Sequence, residues 1–96
     1  MDFEWDPEKS RRNADKHRIA FEDAARVFEA SEACLELFDG DHSDDEERFI
    51  TIGPIAGGIV VVVWTERAEG ATRLISARWA TPRESRLYHR RMESLR

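Results

Sequence analysis

The sequence predicts a small α+β domain in which helices flank an antiparallel sheet. Three observations carry this. The run Ile59–Trp64 (IVVVVW) is apolar on both parities, so it reads as a central strand covered on both faces. Strand-like segments lie on either side of it across short glycine-containing turns, which implies consecutive antiparallel pairing. Two helix starts are written in local chemistry, Asp6-Pro7-Glu8 and Thr81-Pro82-Arg83-Glu84, each with a capping side chain followed by proline. The chain has 96 residues. A chain of this size buries roughly 60–65% of its unfolded surface, enough for one core and one domain.

In chain order, Phe3, Glu4 and Trp5 read as a short first strand. The helix Pro7–His17 is almost wholly polar, and Lys9, Asn13 and Lys16 or His17 share one of its faces. Such a helix lies on the surface or lines a site. Phe21–Ala30 reads as an amphipathic helix with Phe21, Ala24, Ala25 and Phe28 as its core stripe. Ala33–Phe38 follows as a strand in which Cys34 is a small core residue, since no base is visible near it. Asp39–Glu47 is an acidic loop. Its Asp39, Asp41 and Ser43 resemble the start of a calcium loop, but Asp44 replaces the required glycine and Ile50 the closing glutamate. Arg48–Pro54 is a strand, and Gly57-Gly58 marks a hairpin turn into Ile59–Glu66. Thr72–Trp79 completes a four-strand meander. In the last helix, from Pro82 to about Leu95, Glu84 sits where a capping box requires it. Glu84, Tyr88, Met92 and Leu95 fall along one side of this helix, and Arg83, Arg86 and Arg90 form a basic stripe on another.

The net charge of −5 conceals a strong asymmetry. Residues 22–47 carry eleven acids against Arg26 alone, whereas residues 48–96 carry nine arginines, four glutamates and no lysine. The pattern fits one surface for cations and another for anions. Arginine presents a planar fork suited to phosphate or carboxylate. A single cysteine excludes an internal disulfide, and three scattered histidines give no zinc spacing. The charged N-terminus and the lack of a long apolar run point to a cytoplasmic protein without membrane association.

No Gly-rich phosphate loop, Ser-His-Asp set or paired metal ligands can be found, so neither metal nor cofactor is expected. What remains is a set of arginines near strand ends. Arg67 closes the central strand, and Arg78 lies near the end of its hairpin partner, so the two fall toward opposite ends of the hairpin. A buried cation costs several kcal/mol unless it is paired, so each must meet a carboxylate, a carbonyl or an incoming anion. For Arg78, pairing with Glu84 and binding an anion are both open. Trp64 and Trp79 are either core residues or platforms for bases.

Two blocks of residues in the right order resemble the BrnT family of bacterial toxins. The first holds Phe3, Trp5, Asp6, Lys9, Asn13, Lys16, His17, Phe21, Glu22, Ala24, Val27 and Phe28. The second holds Glu66, Arg67, Gly70, Arg73, Ile75, Ser76, Ala77, Arg78, Ala80, Thr81, Glu84 and Tyr88. The resemblance implies a RelE-like fold and a ribonuclease that arrests translation. It also implies a cognate BrnA-like ribbon-helix-helix antitoxin whose complex with the toxin binds its own operator DNA, and a homodimer or 2:2 heterotetramer as the assembly. RNA cleavage of this kind needs no metal: the neighbouring 2′-OH attacks the phosphate with help from a base, an acid and cations. On that basis Arg67 and Arg78 are expected to hold the phosphate. Lys16 and His17 supply substrate contacts or proton transfer, since imidazole titrates near neutrality. Glu84 or Tyr88 is the base or orienting partner, and Lys9, Arg83 and Arg86 are further substrate contacts. The alternative is a noncatalytic module that pairs with a DNA-binding partner. The chain departs from the family pattern in having Arg18 where glycine is usual, Ala20 where a capping side chain is common, and Glu29-Ala30-Ser31 where Asp-Pro is frequent.

Overall fold

The apolar run takes the central place its composition demands. The computed structural model describes residues 2–40 and 46–95. In it β4 (Gly58–Glu66) is the middle strand of a five-stranded sheet in the order β1-β5-β4-β3-β2. The meander β2 (Leu35–Phe38), β3 (Arg48–Ile55), β4 and β5 (Thr72–Trp79) is antiparallel throughout. The short β1 (Phe3–Glu4) adds in parallel beyond β5, with Phe3 opposite Thr72 and Glu4 opposite Arg73. Ile55 pairs with Gly58, which leaves Ala56-Gly57 as a two-residue turn with Gly57 at φ 101°. The middle of the expected acidic loop, with the Asp41 and Ser43 of the calcium comparison, lies outside the described residues.

One irregularity in β5 sets the site. Val63 pairs with Ser76 and Trp64 with Leu74, so Ile75 is a bulge. Strand side chains alternate between faces, and one extra residue reverses the alternation. Leu74, Ala77 and Trp79 therefore share one face with Val60, Val62 and Trp64, and this is the core face. Arg73, Ser76 and Arg78 share the other, opposite Thr65, Val63 and Val61.

The core face is covered by α2 (Phe21–Ala24) and a 3₁₀ segment, Ala25–Ala33, which is kinked at Ala30 (φ −104°, ψ 45°). This corrects the expectation of one α-helix over Phe21–Ala30. Phe21, Ala24 and Val27 are all essentially inaccessible, a spacing of three that matches 3₁₀ rather than α geometry. Val27 is thereby buried, while Phe28, expected in the stripe, packs at its margin against Phe3 and Trp64. Gly53 admits the close approach: a Cβ there would stand 2.6 Å from Cys34 Sγ and 2.9 Å from Val27 Cγ2. Cys34 donates to the carbonyls of Val27 and Ala30, and burial, with Glu36 nearby, raises its thiol pKa. It packs against the core. Trp64 and Trp79 also pack against the core.

The polar helix α1 (Pro7–His17) has no buried residue and lies beside β5. Asn13 joins it to the sheet: its amide nitrogen donates to the carbonyls of Ile19 and Ala77, and its oxygen accepts from Ala77 N–H. It thus satisfies the strand edge beyond the end of β1. Asp6 caps α1, and Arg18 ends it in the left-handed region at φ 63°. Glycine adopts that conformation freely, whereas a side chain such as that of Arg18 is strained in it. Ala20 supplies no side-chain cap for α2, and Ser10 of α1 replaces one by accepting from Phe21 N–H.

On the opposite face the last helix, α3 (Pro82–Ser94), covers one end of the sheet. Its capping box is complete, with Thr81 Oγ1 accepting from Glu84 N–H and Glu84 from Thr81 N–H.

Candidate active site

The two arginines singled out from the sequence occupy the two ends of the β4–β5 hairpin. Arg67 follows Glu66, which pairs with Thr72, whereas Arg78 pairs with Val61. Thr72 and Arg78 are roughly 20 Å apart along the strand by its rise per residue. They do not form one site.

At the α3 end, Arg78 takes the internal pairing. Its two terminal nitrogens donate to the two carboxylate oxygens of Glu84 at 2.6 and 2.8 Å, a bidentate fork. These hydrogen bonds, with those from Thr81, hold the Glu84 pKa down to about 2, and the same contact raises that of Arg78. A carboxylate held that low is a poor proton acceptor at neutrality, and of the two expected roles, base or orienting partner, its hydrogen bonds to Arg78 and Thr81 fit the second. Tyr88 is 5% exposed and its hydroxyl donates to Ala33 C=O, which ties α3 to the end of the 3₁₀ segment. Burial raises its pKa. Arg83 and Arg86 are exposed on α3.

At the other end, a cleft of about 650 Å³ opens between the start of β3 and the end of β4. Glu46, Glu47, Phe49, Thr65, Glu66 and Arg67 line it. Charges alternate along its rim. Arg67 lies 3.4 Å from Glu4 and 4.0 Å from Glu46, Arg73 lies 3.5 Å from Glu4, and Arg48 lies 3.8 Å from Glu46. These separations are long and the groups remain one-third to one-half exposed, so the pairs are loose. Thr65 fixes the rim from below, its hydroxyl donating to Glu47 C=O at 2.6 Å. Phe49 stacks on Trp64 at 4.9 Å and forms an aromatic wall.

A third feature runs along α1. Lys9, Arg12, Lys16 and His17, with Asn13 and Ser76, line an open groove of about 250 Å³. The expected grouping of Lys9, Lys16 and His17 is present there. Ser76 stands on the same sheet face as Arg73, roughly 10 Å along β5. Sequence reasoning missed Glu46 in the cleft, and Glu4, Arg48 and Arg73 as the charges paired around it. Glu4 and Arg73 meet only because β1 adds to β5, and no local pattern announces that pairing. Among the described residues no cluster of His, Cys, Asp or Glu is placed to hold a metal, and no helix is long and apolar enough to cross a membrane.

A small α+β domain whose arginines are loosely paired around an open cleft presents guanidinium forks of the kind that suit phosphate or carboxylate. Residues 5–84 match the family described as the ribonuclease toxin, BrnT, of type II toxin–antitoxin systems, and the chain belongs to that family. The crystal structure of the Brucella abortus ribonuclease toxin BrnT is similar, with a TM-score of 0.67 and 27% identity over 84% of this chain and 97% of that one. No curated protein matches. Membership implies an antitoxin partner and an RNA target.

Proposed function

We propose that this chain is a metal-independent endoribonuclease that cleaves RNA in the cytoplasm and arrests translation, with the Arg67 cleft as its active site. The observation that carries the assignment is the contrast in availability. Arg67 is loosely held in an open cleft beside Glu46, whereas the Arg78 fork is already filled by Glu84.

An RNA phosphate entering the cleft displaces the weak Glu4 and Glu46 contacts of Arg67, and the guanidinium then faces the charge that builds on phosphorus. Released from Arg67, Glu46 accepts the proton of the neighbouring 2′-OH, whose oxygen attacks phosphorus while the bond to the 5′-oxygen breaks. The products are a 2′,3′-cyclic phosphate and a 5′-hydroxyl, the latter protonated from solvent. The Phe49 ring offers a surface for a flanking base. Lys9, Lys16 and His17 hold the adjoining backbone along the α1 groove, and Arg83 and Arg86 extend the cationic surface on α3. Arg78 and Glu84 act at a distance from the chemistry by fixing α3.

A BrnA-like ribbon-helix-helix antitoxin neutralises the chain, as a 2:2 heterotetramer that binds operator DNA. With a net charge of −5 the toxin contributes little to phosphate neutralisation on DNA by itself.

The test is cleavage of a defined RNA oligonucleotide by the purified chain in excess EDTA, beside the same oligonucleotide with a single 2′-O-methyl group at the cut site. Cleavage of the first and not the second, ending in a cyclic phosphate, is expected. A folded chain that leaves RNA intact while still binding a DNA-binding partner would establish the noncatalytic reading instead.

A further inference from the structure

The geometry points to the outer edge of β2, with the groove beside it, as the docking site for an extended segment of the antitoxin in which apolar and basic residues alternate. This inference rests on the reading of the chain as a toxin held by an antitoxin.

β2 is an edge strand of the sheet, and although short and bearing Glu36 it has no proline, no lysine and no bulge to stop further pairing. Asp39 N–H donates to Arg48 C=O at 2.8 Å. The alternation of an antiparallel ladder then turns the N–H and C=O of Glu36 and Phe38 outward, ready for a further strand. The side chains around this edge are apolar and open, with Leu37 46% and Phe38 58% exposed and Leu87 on facing α3 47% exposed. Between β2 and α3 runs a groove of about 370 Å³ floored by Leu35, Leu37, Ile52, Leu87 and Tyr88.

Charge decides the occupant. A second copy pairing edge to edge would set two strands side by side that each carry Glu36 and no basic residue. Like charges set side by side in this way oppose association. A basic partner meets the opposite situation. By register Leu35 and Leu37 face α3 while Glu36 and Phe38 share the opposite face, and the charged Glu36, Glu84 and Arg91 border the groove. An added strand therefore places every second side chain over the apolar groove and the intervening ones beside Glu36. Leucine-like residues suit the first set and lysine or arginine the second. Main-chain pairing supplies affinity and the alternation supplies specificity.

The experiment titrates the purified chain with the antitoxin encoded by the adjacent open reading frame. Two variants are used, Glu36→Pro, which removes an outward donor and a charge without breaking a bond to β3, and Leu87→Glu, on an exposed turn of α3. Each weakens antitoxin binding at least tenfold, while RNA cleavage by the free variants stays within twofold of the wild type. Binding within twofold of wild type by both folded variants overturns the docking site, as does failure of the wild type to bind. A wild-type dimer in sedimentation that Glu36→Pro dissociates also overturns it, by making a second copy the occupant. The two readings fail separately. A wild type that binds the antitoxin at this edge but never cleaves RNA removes the catalytic assignment alone, and one that cleaves RNA but docks elsewhere removes the docking assignment alone.

Discussion

The two ends of the β4–β5 hairpin use the same side chain for opposite purposes. At one end Arg78 meets Glu84 through two short hydrogen bonds, and Glu84 also closes the α3 capping box, so the charge is spent on holding a helix. At the other end Arg67 shares two carboxylates with two other arginines at separations of 3.4 to 4.0 Å, and nothing fixes its fork. An arginine that is fully matched stabilises, and one that is poorly matched remains free to bind. The distinction rests on geometry and not on residue type.

Substitution at each end tests the contrast, with the largest effect expected at Arg67. Arg67→Ala should lower kcat/KM for RNA by a factor of about 10²–10³, the usual loss for a removed oxyanion-stabilising donor, with a thermal midpoint close to wild type. Equal activity in that variant would break the comparison. Arg78→Ala should do the converse, lowering stability by about 1–2 kcal/mol in denaturant titration because Glu84 loses its partner, while the folded fraction keeps most of its activity. Should Arg78→Ala abolish cleavage at unchanged stability, the two ends have been assigned the wrong way round.

Smaller effects sharpen the same contrast. The Glu84 pKa is depressed in the folded state, so its stabilisation is present above the unfolded carboxylate value near 4.5 and is lost as pH falls toward about 2. Glu84→Gln should therefore flatten the acid limb of the stability profile between those limits by about 1 kcal/mol, after discounting for solvent screening. The weakest effect is expected from Arg18→Gly. Relief of the left-handed strain at φ 63° should raise stability by up to about 1 kcal/mol, visible as a higher thermal midpoint.

Much of the fold was legible because it is written in local chemistry. The Thr81-Pro82-Arg83-Glu84 start, the Asp6 cap and the two-sided apolar run of β4 each name their own structure, and Gly57-Gly58 marks the hairpin one residue beyond its Ala56-Gly57 turn. The 3₁₀ segment was misread because Phe21, Ala24, Ala25 and Phe28 satisfy a 3.6-residue period, whereas contact with Gly53 selects a spacing of three and buries Val27. At the site, the pairing of Arg78 with Glu84 was visible as one of two options, because the partners are six residues apart. The Arg67 cleft was not, because its partners Glu4, Glu46 and Arg73 come from separate strands and meet only through sheet order. Tyr88 looked available from its helical position, but its hydrogen bond to Ala33 crosses 55 residues of chain.

The bulge at Ile75 has a consequence for how this protein can change over time. It divides β5 into two stretches that obey opposite counting rules, so the loss of that single residue would act as a spatial frameshift. Trp79 and Ala77 could keep their places only if Leu74 were turned out to solvent and Arg73 driven into the aromatic layer beside Phe3 and Phe28. Point substitutions on the cationic face can be sampled one at a time, but the length of this strand cannot.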